Sequence, residues 1–245
     1  MKMWRLPSGV QIMLIGISTI LLFTNSMDFV CNGETREIQN GGAVTYEVAA
    51  KITWDETTHP QNYPADASFA PYIFVVHRKD APFWKIGDLA SPGLKLYAES
   101  GDYSTLESEL QQLKDDRQIF DFYISESLDA PSGTVELLIE SSFEYDHYTM
   151  LMKLEPSPDW VLGVSNLPFK RYNDIDETFI WKVNESTNLY PIDFGTDAGN
   201  DFQSMDDEEV TQQPVQQFDV NDAYPFLDPS TNTIKFIGRF TLRKI

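Results

Sequence analysis

Two aspartates in the stretch LYPIDFGTDAG, Asp193 and Asp197, are the first residues whose types and spacing could do chemistry. Four residues apart, they would share one face of an α-helix. Pro191 and Gly195 argue against a helix, because proline disrupts a helix interior and glycine is typical of turns. The sequence therefore predicts that this pair of carboxylates lies on a tight loop.

A third aspartate, Asp159 in EPSPDW, lies on a loop whose path is restricted by two prolines. Predicted strands precede and follow this loop, and loops at one end of a β-sandwich can converge. If the two loops meet, three carboxylates repel one another unless a cation lies between them. Calcium fits best, because it accepts six to eight oxygen ligands from flexible loops. Asp159, Asp193 and Asp197 are therefore the predicted ligands of a Ca2+ ion.

Other interpretations of these aspartates stay open. A secreted glycosidase would place a protonated and an ionised carboxyl group across a cleft. Calcium-bridged binding to anionic lipid would need exposed apolar or basic loop tips, and the strand pattern predicts that Trp160 is buried. A third alternative is that they are solvated loop aspartates, the class to which Asp201 and Asp206 are assigned.

Motifs for other chemistry are absent from the sequence. It contains no nucleophile elbow, no phosphate-binding glycine loop and no paired cysteines. The three histidines, His59, His77 and His147, are far apart and lack metal-ligand spacing, so each is interpreted as structural.

The charge of the chain restricts its partners. Its 245 residues include 38 acidic and 18 basic residues, which gives a formal net charge of −20. Such a charge disfavours nucleic acid and anionic membranes as partners unless a cation bridges them. A hydrophobic content of 42% is sufficient for one large globular domain.

The N-terminal segment predicts export. Lys2 and Arg5 precede the apolar run 10–23, and small polar residues follow at 24–26. This pattern is typical of a signal peptide, predicted over residues 1–26, with an N-terminal extension at 27–42. The alternative is an uncleaved anchor, but Asp28 ends the apolar stretch, so no stable membrane span is expected after cleavage. Cys31 is the only cysteine, and Asn184 begins a glycosylation sequon.

Alternating apolar and polar residues predict an all-β fold. The alternation is clearest from Val44 to Trp54. Further strands are predicted at residues 72–77, 119–125, 134–140, 148–154, 160–164, 178–183 and 234–242. Their number and spacing favour an antiparallel β-sandwich.

One short helix is predicted near 104–115, where Ser104 and Glu107 match a capping box and leucines follow on one face. The acidic, proline-punctuated stretch from Asn200 to Pro229 is predicted to be a long loop, either with a role of its own or partly disordered.

The motifs also resemble a known family. HPQNYPADASFAPYIFVVH, FWKIGDLASPGLKLYAESG with LESEL, EPSPDWVLGVSNL, NLYPIDFGTDAG and GRFTLRKI are similar, in this order, to segments of the spondin domain of F-spondin and mindin. The resemblance covers residues 43–245. It implies a C2-like β-sandwich with calcium bound at one end, and the ligating aspartates of the family fall on Asp159, Asp193 and Asp197.

The sequence also departs from this family. Animal relatives carry a cysteine soon after the strand that follows SPDW, whereas this chain has Leu167, Pro168 and Phe169, so Cys31 has no partner there. An acidic stretch at 173–177 contains Asp174 and Asp176, which either add a metal ligand or form a solvated loop.

The resemblance and the residues together predict a secreted, non-enzymatic calcium-binding module for adhesion or extracellular-matrix contact. Its expected partners are a calcium ion and an extracellular protein or glycan.

Overall fold

The computed structural model describes residues 30–31, 34–35, 42–221 and 223–245. The predicted signal peptide, 1–26, and most of the predicted extension, 27–42, lie outside the described residues and stay predictions. Within the N-terminal unit, Met1–Asn40, strands β1 (Val30–Cys31) and β2 (Glu34–Thr35) pair antiparallel. The second unit, Gly41–Ile245, carries all the features that follow.

The second unit is built mainly of strands. In chain order these are β3 (Val44–Thr53), β4 (Ser68–Phe69), β5 (Ile73–His77), β6 (Ile119–Ile124), β7 (Ser132–Ser141), β8 (His147–Glu155), β9 (Trp160–Pro168), β10 (Lys170–Asn173), β11 (Thr178–Trp181), β12 (Asn184–Leu189), β13 (Pro191–Asp193), β14 (Gln216–Gln217), β15 (Leu227–Asp228), β16 (Thr233–Ile234) and β17 (Gly238–Lys244). The helices are α1 (Pro92–Ser100) and α2 (Ser104–Asp115).

Two antiparallel sheets form a sandwich. One has the strand order β12-β17-β3-β7, and the other has the order β14-β13-β9-β8-β5-β6, with β4 also paired to β8. The main core lies between the sheets, where Tyr46 and Val48 of β3 pack in one cluster with Phe74 of β5 and Met150 of β8. The predicted all-β sandwich is confirmed.

A second core lies on the opposite face of the larger sheet. Leu94 and Tyr97 of α1 and Leu106 of α2 pack there in one cluster with Leu151 of β8 and Val161 of β9. Strand β8 is consequently buried on both faces, which its sequence YTMLMKL indicates by its lack of alternation. This doubly covered strand leads directly into the Asp159 loop.

The helices differ from the prediction. The predicted helix at 104–115 is present as α2, but its N-cap is Tyr103, which makes no side-chain cap bond, so the interpretation of Ser104 as a cap was wrong. Instead Asp102 Oδ1 accepts a hydrogen bond from the backbone N–H of Ser104 at 2.8 Å.

Helix α1 was missed because Pro92 and Gly93 resemble a turn. Proline is in fact favoured at the first helical position, and Ser91 Oγ caps the helix by accepting from Leu94 N at 3.2 Å. Glu109 of α2 accepts from Gly93 N at 2.8 Å and from Ser91 Oγ. A Cβ on Gly93 would lie 2.6 Å from the Leu106 backbone, so this glycine lets the helices approach closely.

The stretch 200–229 is more ordered than predicted. Apart from Asp222, which is not described, it contributes β14 and β15, and it buries Phe202, Val215 and Phe226. Phe202 lies 5.1 Å from the ring of Trp54, and Phe226 lies 5.0 Å from that of Trp160. Burial of these aromatic side chains offsets the ordering entropy of a polar segment.

The two helix starts give a stability prediction. We expect Ser91→Ala to lower the free energy of unfolding by about 1 kcal/mol, because it removes the α1 cap and one partner of Glu109. The control Ser104→Ala removes an exposed hydroxyl that caps nothing and should cost less than about 0.5 kcal/mol. Urea unfolding measures both, and equal losses would contradict this account of the caps.

Candidate metal centre

The Asp159 loop joins β8 to β9 and is held by its own hydrogen bonds. Ser157 Oγ donates to Leu154 O at 2.7 Å and accepts from Trp160 N at 3.3 Å. Trp160 is 2% exposed and packs against the rings of Phe202, Phe218 and Phe226. Asp159 therefore sits between a bonded turn and an aromatic cluster, and its side chain is 0% exposed.

The second loop begins where β13 ends. Asp193 pairs with Trp160 in the β13–β9 ladder, so the sheet register places it beside the residue that follows Asp159. Gly195 has φ +66°, and a Cβ there would collide with the carbonyl oxygen of Gln213. The predicted tight turn is thus confirmed, and it requires glycine.

The carboxylates of this loop bond to its own backbone. Asp193 Oδ1 accepts from Gly195 N and Asp197 Oδ1 accepts from Gly199 N, both at 2.7 Å. Asp193 Oδ2 also accepts from Gln216 Nε2 at 3.3 Å, and Asp197 Oδ2 accepts from the backbone N–H of Asp207 at the same distance. Both aspartates therefore stabilise the turn in which they lie.

The two loops are in direct contact, which is the condition on which the predicted calcium site depends. Asp159 Oδ2 accepts from Thr196 N at 2.6 Å, from Thr196 Oγ1 at 3.3 Å and from Asp197 N at 3.3 Å. A Cβ on Gly199 would lie 2.7 Å from Pro158 Cγ, so the backbones approach closely there as well. One buried carboxylate oxygen thus joins the two loops.

The other oxygen of Asp159, Oδ1, is buried and has no hydrogen-bond partner. Burial, and then the negative charge of Asp193, raise the pKa of Asp159 from 3.8 to about 7. Burial also raises the pKa of Asp193. A cation beside these groups would supply the missing partner and reverse both effects.

The carboxylates are nevertheless not gathered around one point. Within residues 42–221 and 223–245, no group of three or more histidine, cysteine, aspartate or glutamate side chains is arranged to hold a metal ion. The oxygen donors suit a hard cation, and the unpartnered Oδ1 of Asp159 is the observation that fits one. Ligation of one ion by all three aspartates stays a prediction.

A cleft of about 260 Å³ opens beside the two loops. Asp193 and Asp197 line it together with Glu209 and Asp219, and Trp160, Phe218 and Tyr224 supply aromatic surface. Glu209 and Asp219 were not among the predicted site residues, since nothing in their spacing distinguishes them from other acidic residues of a polar stretch. The cleft therefore carries more negative charge than the predicted site alone.

Other residues singled out in the sequence lie as follows. His77 is buried, and its two ring nitrogens bond to Arg78 O at 2.6 Å and Thr149 Oγ1 at 2.7 Å, which fits a structural role. Asp174 and Asp176 are exposed in the turn of the β10–β11 hairpin, and Asn184 is exposed at the start of β12.

Asp201 is not the solvated group that was predicted. It is only partly exposed, and its carboxylate accepts hydrogen bonds from Asn62 Nδ2 and from the backbone N–H of Phe202. Asp206 is exposed, as predicted.

The raised pKa of Asp159 gives a pH-dependence prediction. The folded-state pKa of Asp159, about 7, exceeds the unfolded value of 3.8. The contribution of the protonated group to the free energy of unfolding is therefore fully present below pH 3.8, and it is lost as the pH rises through about 7. In EDTA, wild type should therefore lose stability relative to Asp159→Asn between pH 4 and 7. Urea unfolding at several pH values measures the difference. A difference that does not change with pH would contradict the burial of this carboxyl group.

Comparison with known proteins gives the family. The family model described as Spondin_N matches residues 44–236, which include both loops of the candidate centre. Spondin-2 from Homo sapiens is 26% identical over 209 residues, or 82% of this chain and 61% of that protein. Spondin-1 from Gallus gallus is 30% identical over 216 residues, or 83% of this chain and 26% of that protein.

The match covers only part of each relative: the chain spans about three fifths of Spondin-2 and about a quarter of Spondin-1. Within this chain, however, the family model covers most of the described sandwich. This chain belongs to the Spondin_N family, and the resemblance seen in its motifs is confirmed.

Proposed function

We propose that this protein is a non-enzymatic, extracellular calcium-binding spondin domain that mediates adhesion or contact with the extracellular matrix. The observation that carries the proposal is the buried, unpartnered Oδ1 of Asp159 beside Asp193. A buried carboxylate oxygen without a partner is costly, and a bound cation removes that cost. Asp159, Asp193 and Asp197 are the proposed protein ligands.

Calcium suits the donors better than other common metals do. Carboxylate and backbone carbonyl oxygens are hard donors, and the two loops contain no described histidine or cysteine that would favour zinc. The aspartates belong to turns rather than to a rigid octahedral cage, and Ca2+ tolerates irregular coordination better than Mg2+ does. We therefore expect selectivity for calcium over magnesium.

A glycosidase is the weaker alternative. The raised pKa of Asp159 is one that a general acid would have. Its side chain, however, is 0% exposed, and Oδ2 is engaged by Thr196 and Asp197. A general acid must reach the glycosidic oxygen of its substrate, so the burial of Asp159 favours a binding site over a catalytic one.

Binding to anionic lipid is likewise less well supported than binding to a protein or glycan. Trp160, the one large apolar side chain of the SPDW loop, is 2% exposed and packs in the aromatic cluster. Glu209 and Asp219 in the neighbouring cleft would repel anionic headgroups. An extracellular protein or glycan is therefore the proposed macromolecular partner.

The extracellular location follows from the predicted signal peptide at 1–26 and from membership of the spondin family. In the part of the chain that the structure describes, no helix has the length and apolar character needed to cross a bilayer.

Calcium is expected to raise the unfolding temperature, because it binds the folded state and relieves repulsion between buried carboxylates. Extracellular modules often have dissociation constants of about 10⁻⁴ to 10⁻³ M, so the titration should extend to several millimolar. EDTA should reverse the increase, and magnesium should produce a smaller one. Thermal unfolding followed by circular dichroism provides the measurement.

Variants locate the effect in the proposed site. Asp193→Asn should weaken calcium binding at least about tenfold without unfolding the calcium-free protein, because it keeps the shape of the side chain and removes a repelling charge. Asp206→Asn, at an exposed position, should leave the calcium response unchanged. An equal response in wild type and in the Asp159/Asp193/Asp197 triple asparagine variant would refute the assignment.

A further inference from the structure

Lys153 is a buried cation beside the Asp159 loop. It lies in β8, where its cross-strand partner is Val161, and it is 3% exposed. A buried lysine is rare, because removing an ammonium group from water is costly unless other groups compensate. The groups around Lys153 should therefore show how the cost of burying its charge is compensated.

The ammonium group bonds entirely to the loop that leads into Asp159. Lys153 Nζ donates to Ser157 O at 2.9 Å, to Ser157 Oγ at 3.2 Å and to Pro158 O at 3.5 Å. An ammonium group has three N–H donors, so these acceptors use its full capacity. Ser157 Oγ also accepts from Trp160 N, which extends the network to the first residue of β9.

The charges around Lys153 include two of the predicted ligands. Burial lowers the pKa of Lys153 to about 8, while the negative charges of Glu155, Asp159, Asp197 and Glu99 act in the opposite direction. Lys153 is therefore still a cation at pH 7. The Lys153 ammonium group bonds to the carbonyl oxygens of Ser157 and Pro158. The Asp159 carboxylate does not share these partners, because its Oδ2 bonds to Thr196 and Asp197.

We infer that Lys153 is a positioning residue of the calcium site: its ammonium group fixes the Ser157–Pro158 backbone so that Asp159 already faces the second loop before an ion binds. This inference rests on the proposed calcium function. Two effects of Lys153 on calcium oppose each other, since its charge repels the ion and its hydrogen bonds pre-organise a ligand. Pre-organisation prevails, because three hydrogen bonds from a charged donor would otherwise be lost from one short loop.

The variant Lys153→Met removes the ammonium group and keeps most of the side-chain volume. We expect its dissociation constant for calcium, measured by isothermal titration, to rise by about 10- to 100-fold, as for other groups that orient metal ligands. In EDTA, the Trp160 amide should exchange hydrogen faster than in wild type, because its acceptor Ser157 Oγ is no longer held by Lys153.

Met152→Ala is the matched control. Met152 precedes Lys153 in β8, is 0% exposed and belongs to the main core between the sheets. Its truncation lowers stability through a cavity, but it leaves the loop hydrogen bonds in place. Calcium affinity and local Trp160 exchange, corrected for global unfolding, should match wild type.

Unchanged or tighter calcium binding by Lys153→Met would overturn the inference, since repulsion of the ion would then equal or exceed pre-organisation. If that variant does not fold, Lys153→Gln replaces it, because it removes the ammonium group and its bonds to the Ser157 and Pro158 carbonyls but keeps a polar end. An unchanged affinity in Lys153→Gln would likewise overturn the inference. If wild type binds no calcium, the proposed function fails, and the exchange measurement alone decides whether Lys153 holds the loop.

Discussion

The Asp159 carboxylate is the group on which the candidate centre depends. One oxygen joins the SPDW loop to the backbone of Thr196 and Asp197, while the other is buried without a partner. The same burial that fixes the loops raises the pKa of this group to about 7. The bonded oxygen stabilises the contact between the loops, and the unpartnered oxygen leaves a cost that a cation would remove.

The sandwich brings these loops together through its strand order. Strands β8, β9 and β13 are neighbours in the larger sheet, and the register sets Asp193 opposite Trp160. Helices cover the outer face of this sheet, so β8 is buried on both sides and forms a rigid base for the loop. Lys153 occupies this base and extends its ammonium group into the turn. The framework therefore supplies both the position of Asp159 and a cation that secures its loop.

Sequence analysis predicted the features that depend on local pattern. The alternation in β3 and the glycine turn at Gly195 were predictable, because side-chain period and turn chemistry are readable along the chain. The contact between the aspartate loops was only a condition of the predicted calcium site, because it depends on the strand order of the larger sheet. Helix α1 was missed because proline followed by glycine, as at Pro92 and Gly93, is typical of a turn, whereas proline is also favoured at the first position of a helix. The order of the 200–229 stretch depends on distant aromatic contacts, such as that between Phe202 and Trp54, which no local pattern encodes.

The most direct measurement of the central claim is a crystal structure grown in millimolar calcium, with anomalous diffraction data collected to locate the ion. The account predicts one calcium peak within about 2.3–2.6 Å of oxygens from Asp159, Asp193 and Asp197, with Asp159 Oδ1 among them. A fully ordered loop pair without an ion, or a calcium peak that does not contact Asp159, would contradict it.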